Sequence, residues 1–271
     1  MTRSFVLCAD DYALSEGVSQ TIVALASRGR LSAVSCMTCT PYWAQHAEWL
    51  KPLIGKVDIG LHVTLVDEVP LAAMPKTAPN GKLPSISALI LRSHLGLIDL
   101  TEIKAEVTAQ FTAFERVLGV APSHVDGHLH AHILPGIRDI VLQRAAACNP
   151  RPWVRNVTEP WPSVRRRGIA IPKSIVLNVL GRALAKMPAR TNDGFSGLYG
   201  LVGDENYPAM FEKFVDSDAK RLVVMCHPGS ISPESVACAQ SRANESAFFA
   251  SDNFTEMLAR KDLRLGRFDD L

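Results

Sequence analysis

Between residues 124 and 132 the chain reads His-Val-Asp-Gly-His-Leu-His-Ala-His, so four of its eight histidines fall in nine residues. His124, Asp126, His128, His130 and His132 occupy every second position, with Val125, Leu129 and Ala131 between them. On an extended backbone that spacing puts the ionisable groups on one face and the apolar groups on the other. Five inward ionisable groups are too many for one strand to bury. The strand is therefore expected to end near Gly127, with the later histidines wrapping round its mouth. Imidazole is the usual ligand of borderline divalent metals, and a carboxylate completes such a set.

A second constellation is the pair Asp10 and Asp11, directly after the apolar run Phe-Val-Leu-Cys-Ala. Neighbouring residues point to opposite faces of a strand, so both can serve one site only at a strand end. There one carboxylate can bind a metal while the other stands by as a base, and the cation keeps both ionised. The competing reading is an Asx turn that leads into a helix capped by Ser15. His62 lies in the apolar run 57–65 beside Gly60. A lone histidine there is more often a hydrogen-bonded core residue, and Gly60, which permits close backbone approach, shifts that balance only modestly. Arg155 follows Pro-Trp-Val, and His227 opens Cys-His-Pro-Gly after another apolar run, where a turn role competes with a chemical one.

Positioning these groups falls to short apolar runs that alternate with helical patterns. Strands are predicted at 4–9, 32–39, 57–65, 124–127, 153–156, 221–226 and 264–267. Helices are predicted at 15–28, 101–118, 136–148, 173–186, 207–216 and 245–261, with Ser15 as an N-cap and Gly29 and Gly119 as stops. Such alternation predicts a parallel sheet closed into a (β/α) barrel. In a barrel the C-terminal strand ends converge on one mouth, and each candidate residue sits at or just past such an end. The Pro-rich stretches 70–87 and 158–172 read as long loops that wall the mouth.

The 271 residues suit one barrel domain spanning 1–271, and the 47% apolar content supports a sizeable core. No apolar run approaches the ~18 residues of a membrane span. The N-terminal apolar stretch is too short for a signal peptide, so the chain reads as cytoplasmic. A net charge of +2 gives no electrostatic case for a nucleic-acid partner. The basic run Arg165, Arg166 and Arg167 reads as a solvated loop, with an anion-binding role as the alternative. Cys36 and Cys39 form a CxxC inside a strand-like run without a second pair, which argues against zinc or redox chemistry.

Taken together, ADDY at 9–12, GLHVTL at 60–65, HVDGHLHAH at 124–132, TNDGFSGLYG at 191–200, MCHPG at 225–229 and RLGRF at 264–268 resemble the YdjC-like carbohydrate deacetylases, in the same order along the whole chain. The resemblance implies a distorted (β/α) TIM-like barrel of the glycoside hydrolase/deacetylase type. It implies an enzyme that hydrolyses the C–N bond of an N-acetylated sugar or oligosaccharide, releasing acetate and an amino sugar. By motif, Asp11, His62 and His128 become the ligands of one divalent metal ion, and Asp10 the general base. His227 becomes an acid or oxyanion stabiliser. Asp126, His130, His132 and Arg155 become substrate-binding or supporting residues. Two imidazoles and a carboxylate suit zinc, and the resemblance adds magnesium. It also implies a homodimer. Trp153, Trp161 and Tyr199 are candidates for stacking on sugar rings. The region 157–190, with its helix at 173–186, reads as an insertion that shapes specificity. The residues themselves leave three rivals open: an iron(II) oxygenase with a two-histidine, one-carboxylate triad, a metal-dependent hydrolase of another bond such as a phosphoester, and a non-catalytic sugar- or metal-binding protein.

Overall fold

The apolar runs become parallel strands, one after each helical stretch. In the computed structural model, which describes residues 2–231 and 238–271, these are β1 (Arg3–Tyr12), β2 (Ala33–Cys36), β3 (Asp58–Val63), β4 (His124–Gly127), β5 (Trp153–Val154), β6 (Gly194–Ser196), β7 (Leu222–Cys226) and β8 (Leu263–Leu265). The strand order is β5-β4-β3-β2-β1-β7-β6, and β8 pairs β1 off that path. β1 is the spine, pairing β8 at Arg3–Phe5, β7 at Val6–Ala9 and β2 from Cys8 onward. Parallel neighbours need crossover connections. The helices supply them: α1 (Glu16–Ser27), α2 (Trp43–Leu50), α3 (Ile86–His94), α4 (Leu100–Leu118), α5 (Ile137–Ala146), α6 (Trp161–Arg167), α7 (Ile171–Gly181), α8 (Tyr207–Phe214), α9 (Ala239–Ala250) and α10 (Asp252–Arg260).

The barrel expectation holds with one change: among the described residues no strand ladder joins β5 to β6. The seam is bridged by single hydrogen bonds instead. Val154 donates its N–H to the Arg190 carbonyl at 2.8 Å. Asn192 donates its side-chain amide to the Asn156 carbonyl at 2.7 Å, and Asn156 N–H returns to Asn192 Oδ1 at 2.8 Å. β6 is absent from the predicted strands, because three residues are too few to show a period.

Other elements depart from prediction for local reasons. The helix expected at 245–261 is two, α9 and α10, broken at Ser251, whose backbone is extended (φ −80°, ψ 162°). The loop expected at 158–172 contains α6, which has proline in its first turn, where the missing N–H costs nothing, and ends at Gly168 in the left-handed region. The basic run is accordingly helical, and Arg167 is buried, with both Glu159 oxygens within 2.6 Å of its Nη1. Arg166 pairs with Asp216 and Asp218. The run is helical rather than a loop; Arg165 and Arg166 stay exposed, and Arg167 alone is withdrawn from solvent. The stretch from 70 to 85 does remain a loop, anchored by α4: Glu106 accepts from Ala72 N–H, and Glu102 accepts from Lys76 and Thr77 N–H, all within 2.9 Å.

Alternation along β1 divides the core. Phe5, Leu7 and Ala9 pack against the helices. Val6 and Cys8 face inward with Ala33, Trp153, Val223 and Phe268. Phe268 closes the inner column from below, stacked on His124 at 4.7 Å and beside Trp153 at 5.8 Å. Its N–H donates to Asp58 Oδ2 at 2.6 Å, and Arg267 Nε reaches Asp58 Oδ1 at 3.0 Å. Gly60 meets this column from β3: a Cβ there would lie 2.3 Å from His124 Cε1. The close approach that Gly60 permits is therefore the imidazole of the neighbouring strand. Gly60→Ala should cost about 1–3 kcal/mol or more, as overpacking does, read as a lower midpoint in urea. The cost should shrink when His124 is also cut to Ala; an equal cost in both backgrounds would show that the ring is not the obstacle.

Candidate metal centre

The mouth is built by an irregularity in β1. Its register with β2 runs Cys8–Ala33 and Ala9–Val34, then slips so that Tyr12 meets Cys36. One extra residue is accommodated, as in a β-bulge. Asp11 takes it up with φ +65°, a left-handed conformation that aspartate tolerates better than most residues. Consecutive aspartates thereby both serve one mouth, and each is 2% exposed. The different partners of the two carboxylates, His128 for Asp11 and Arg155 for Asp10, have this backbone cause.

Asp11 Oδ1 lies 2.8 Å from His128 Nδ1 and 3.3 Å from His62 Nε2. The three donor atoms lie within 4.8 Å of one another. His128 arrives there because the chain turns sharply after Gly127. Residues His128–Ile133 form 3-10 turns, with Leu129 (φ 49°) and His130 (φ 61°) in the left-handed region. The alternation of the histidine segment thus ends where it was expected to end. His130 and His132 turn away from the three-donor cluster. His130 packs edge-on against Phe195 at 5.3 Å. His132 Nε2 donates to the Arg155 carbonyl at 2.9 Å. His124, at the strand's start, lies below with Phe268.

Behind the donors is a layer of buried charge. His62 Nδ1 donates to Asp126 Oδ1 at 2.7 Å, and Ser35 Oγ donates to the same oxygen. Arg155 is fully buried. It forks both oxygens of Asp10, Nη1 to Oδ2 at 2.6 Å and Nη2 to Oδ1 at 2.7 Å. Its Nη2 also lies 2.5 Å from Asp126 Oδ2. Burial alone would raise the Asp126 pKa, but Arg155 and His62 hold it far below the carboxylate range. Asp11 is likewise lowered against the effect of burial, by His128 and Arg242. Burial would lower His62, yet Asp126, Asp11 and Asp10 carry it up to about 10. For His227 burial prevails and its pKa falls to about 4. Its Nδ1 is buried without a hydrogen-bond partner among the described residues.

Two further site residues escaped the sequence reading, Arg242 and Glu245 of α9. Arg242 Nη2 donates to Asp11 Oδ2 at 2.6 Å. Glu245 accepts the His227 N–H at 2.5 Å and the Tyr199 hydroxyl at 2.5 Å. Burial pushes the Glu245 carboxyl up to about 7 although Tyr199 and His227 pull it down. In the sequence they are an Arg and a Glu three apart on a polar helix, the usual mark of a solvated pair. Tyr199 is thereby a buried supporting group, and Trp153 is core, with its Nε1 on Asp269. Of the three stacking candidates only Trp161, 46% exposed, presents a broad face to solvent.

The YdjC-like protein family model matches residues 4–260. The chain belongs to the YdjC-like family. It is similar over its whole length, and theirs, to two chitooligosaccharide deacetylases, one of Enterobacter sp. (strain 638) and one of Yersinia pestis (strain Pestoides F), at 27% identity to each. Among solved structures it resembles a putative cellobiose-phosphate cleavage protein of Enterococcus faecalis V583, with a TM-score of 0.74 and 19% identity over 100% of this chain and 99% of that one. That likeness supports the fold of this YdjC-like chain.

The donor set fits a divalent cation on chemical grounds. Two imidazole nitrogens and one carboxylate oxygen converge, and His62 is backed by a carboxylate on its other nitrogen, as metal-bound histidines are. Ligation requires neutral imidazole, whereas His62 is held protonated to about pH 10. Zinc affinity should therefore rise by up to about tenfold per pH unit between pH 6 and 8, with about one proton released per ion. Calorimetric titration in buffers of different ionisation enthalpy reads both quantities. Affinity independent of pH would rule out displacement of that proton.

Proposed function

We propose that this protein is a metal-dependent N-deacetylase that hydrolyses the acetamide of an N-acetylated sugar or oligosaccharide to acetate and a free amine. The observation that carries the reading is the division of labour between consecutive aspartates. Asp11 stands among His62 and His128, and Asp10 is fixed beside it by a two-pronged arginine. A ligand carboxylate with a separately clamped partner suits hydrolysis. An oxygenase triad has no use for the second acid. Family membership and the names of the full-length relatives favour an acetylated sugar over a phosphoester.

Asp11, His62 and His128 would hold the ion. When bound, it supplies Lewis acidity that polarises the acetamide carbonyl and acidifies the attacking water. Two imidazoles with one carboxylate favour zinc over magnesium, which takes oxygen ligands. Asp10 takes a proton from the water as its oxygen bonds to the carbonyl carbon. Arg155 fixes the plane of Asp10, and each carboxylate oxygen keeps a lone pair for that proton. His227 is neutral at pH 7, so it serves as an N–H donor to the developing oxyanion rather than as a cationic acid. The C–N bond then breaks, and Asp10 passes its proton to the departing nitrogen. All six cysteines are free, which suits a reducing cytoplasmic setting. No described helix is long and apolar enough to cross a membrane.

The test is acetate release from a panel of N-acetylated sugars by metal-stripped protein resupplied with zinc, magnesium, cobalt or manganese. Release should depend on the metal and vanish in Asp11→Ala. Asp10→Asn should keep zinc affinity within about threefold while the rate drops roughly 10²–10⁴-fold, the contribution of a general base. Turnover that survives in Asp10→Asn would remove Asp10 from the chemistry. No acetate from any sugar with any metal would sink the deacetylase reading.

A further inference from the structure

Asp11 uses its two oxygens differently. Oδ1 is the oxygen shared by His128 Nδ1 and His62 Nε2. Oδ2 faces the other way and accepts from Arg242 Nη2 at 2.6 Å. Arg242 is 5% exposed, so this contact is withdrawn from solvent.

The arginine is delivered by a frame that does not depend on Asp11. Helix α9 is tied to the turn after β7 by main-chain and side-chain bonds. Gly229 N–H donates to the Arg242 carbonyl at 3.3 Å and to Ser246 Oγ at 2.8 Å, and Ser246 Oγ lies 2.9 Å from the Gly229 carbonyl. Glu245, fully buried, grips the His227 N–H from the same helix face. A Cβ at Gly229 would stand 3.3 Å from Arg242 Cδ, so the turn packs directly on the arginine's stem. The guanidinium is thus presented to Asp11 from a braced helix, and the carboxylate is oriented against it.

We propose that Arg242 is a positioning residue for the metal centre: by occupying Oδ2 it turns Asp11 so that Oδ1 alone is offered to the ion shared with His62 and His128. The inference rests on the metal reading above. Without Arg242 the carboxylate rotates about its Cβ–Cγ bond and presents neither oxygen reliably, and ligand geometry held by such outer partners is worth ten- to a hundredfold in metal affinity.

The sign of one measurement separates this role from its rival. A guanidinium beside a cation site repels the cation, so if Arg242 were only a neighbouring charge, its removal would tighten metal binding. If it positions Asp11, removal loosens binding although a repulsive charge has gone. Metal-stripped full-length protein, wild type and Arg242→Met, is titrated calorimetrically with zinc, with circular dichroism and thermal melting to check folding. The expected result is zinc affinity at least about tenfold weaker in the variant. Equal or tighter binding overturns the proposal. If Arg242→Met does not fold, Arg242→Lys decides: it keeps the charge and loses the planar guanidinium, so weakened binding supports the proposal and wild-type affinity overturns it. Wild-type protein that binds neither zinc nor, in parallel titrations, magnesium, cobalt or manganese would instead bring down the metal reading itself.

Discussion

The structure depends on how Arg155 is neutralised. A fully buried guanidinium is tolerable only if acids surround it, and here it touches both oxygens of Asp10 and one of Asp126. Those acids come from β1 and β4, and the arginine follows β5, so one cation joins three parts of the sheet. Asp126 passes the constraint on to His62 of β3, and His62 and His128 both meet Asp11. Arg242 closes the series from α9. No member can be moved without stranding a charge on the next. The network therefore ties β1, β3, β4, the residue after β5 and α9 together at the mouth.

The sheet around it is arranged to make that network affordable. Below the charges the inner column is apolar and filled from the chain's far end by Phe268, which is locked to β3 through Asp58. Above them the backbone leaves regular geometry at two places, the bulge at Asp11 and the left-handed pair Leu129 and His130. Asp11 lies in the slip between the Ala9 and Tyr12 pairs, and Leu129 and His130 lie two and three residues past the last β4 pair at Gly127, where the ladder no longer dictates which way a side chain points. Irregular backbone there costs about 1–3 kcal/mol per residue, and the ionic contacts it permits offset that cost.

Much of this was legible because strand ends announce themselves. An apolar run that stops at an acid marks both the strand and its mouth, and Asp10 and Asp11 obey that pattern; Asp126 and His128 stand out by their alternation, whereas His62, inside its run, needed the family resemblance. The same logic correctly ended β4 at Gly127. Arg242 and Glu245 obey a different rule. They lie on a helix whose polar composition suggests solvent, and only the tertiary contact with β1 and the turn after β7 buries them. In the run 165–167 only Arg167 departs from the solvated reading, since nothing local says that it will find Glu159 and Ser174 under α7. Closure of the barrel was over-read: whether β5 and β6 complete a ladder depends on strand length, and a two- and a three-residue strand leave the work to asparagines.

Charge balance links the buried network to the proposed chemistry. Asp10, Asp11 and Asp126 carry three negative charges, and Arg155 and Arg242 return two. The remaining negative charge accounts for the raised His62 pKa: the imidazole keeps a proton up to about pH 10 despite its burial, because that proton makes the cluster neutral. On the proposed reading a divalent cation replaces this proton, and the cluster gains one net positive charge. A dry site with that surplus is disposed to stabilise negative charge, and hydrolysis of an acetamide generates it on the carbonyl oxygen. The two arginines thus have a purpose beyond neutralising their partners. With either one absent, three carboxylates around one divalent cation would leave no surplus positive charge to meet a developing oxyanion.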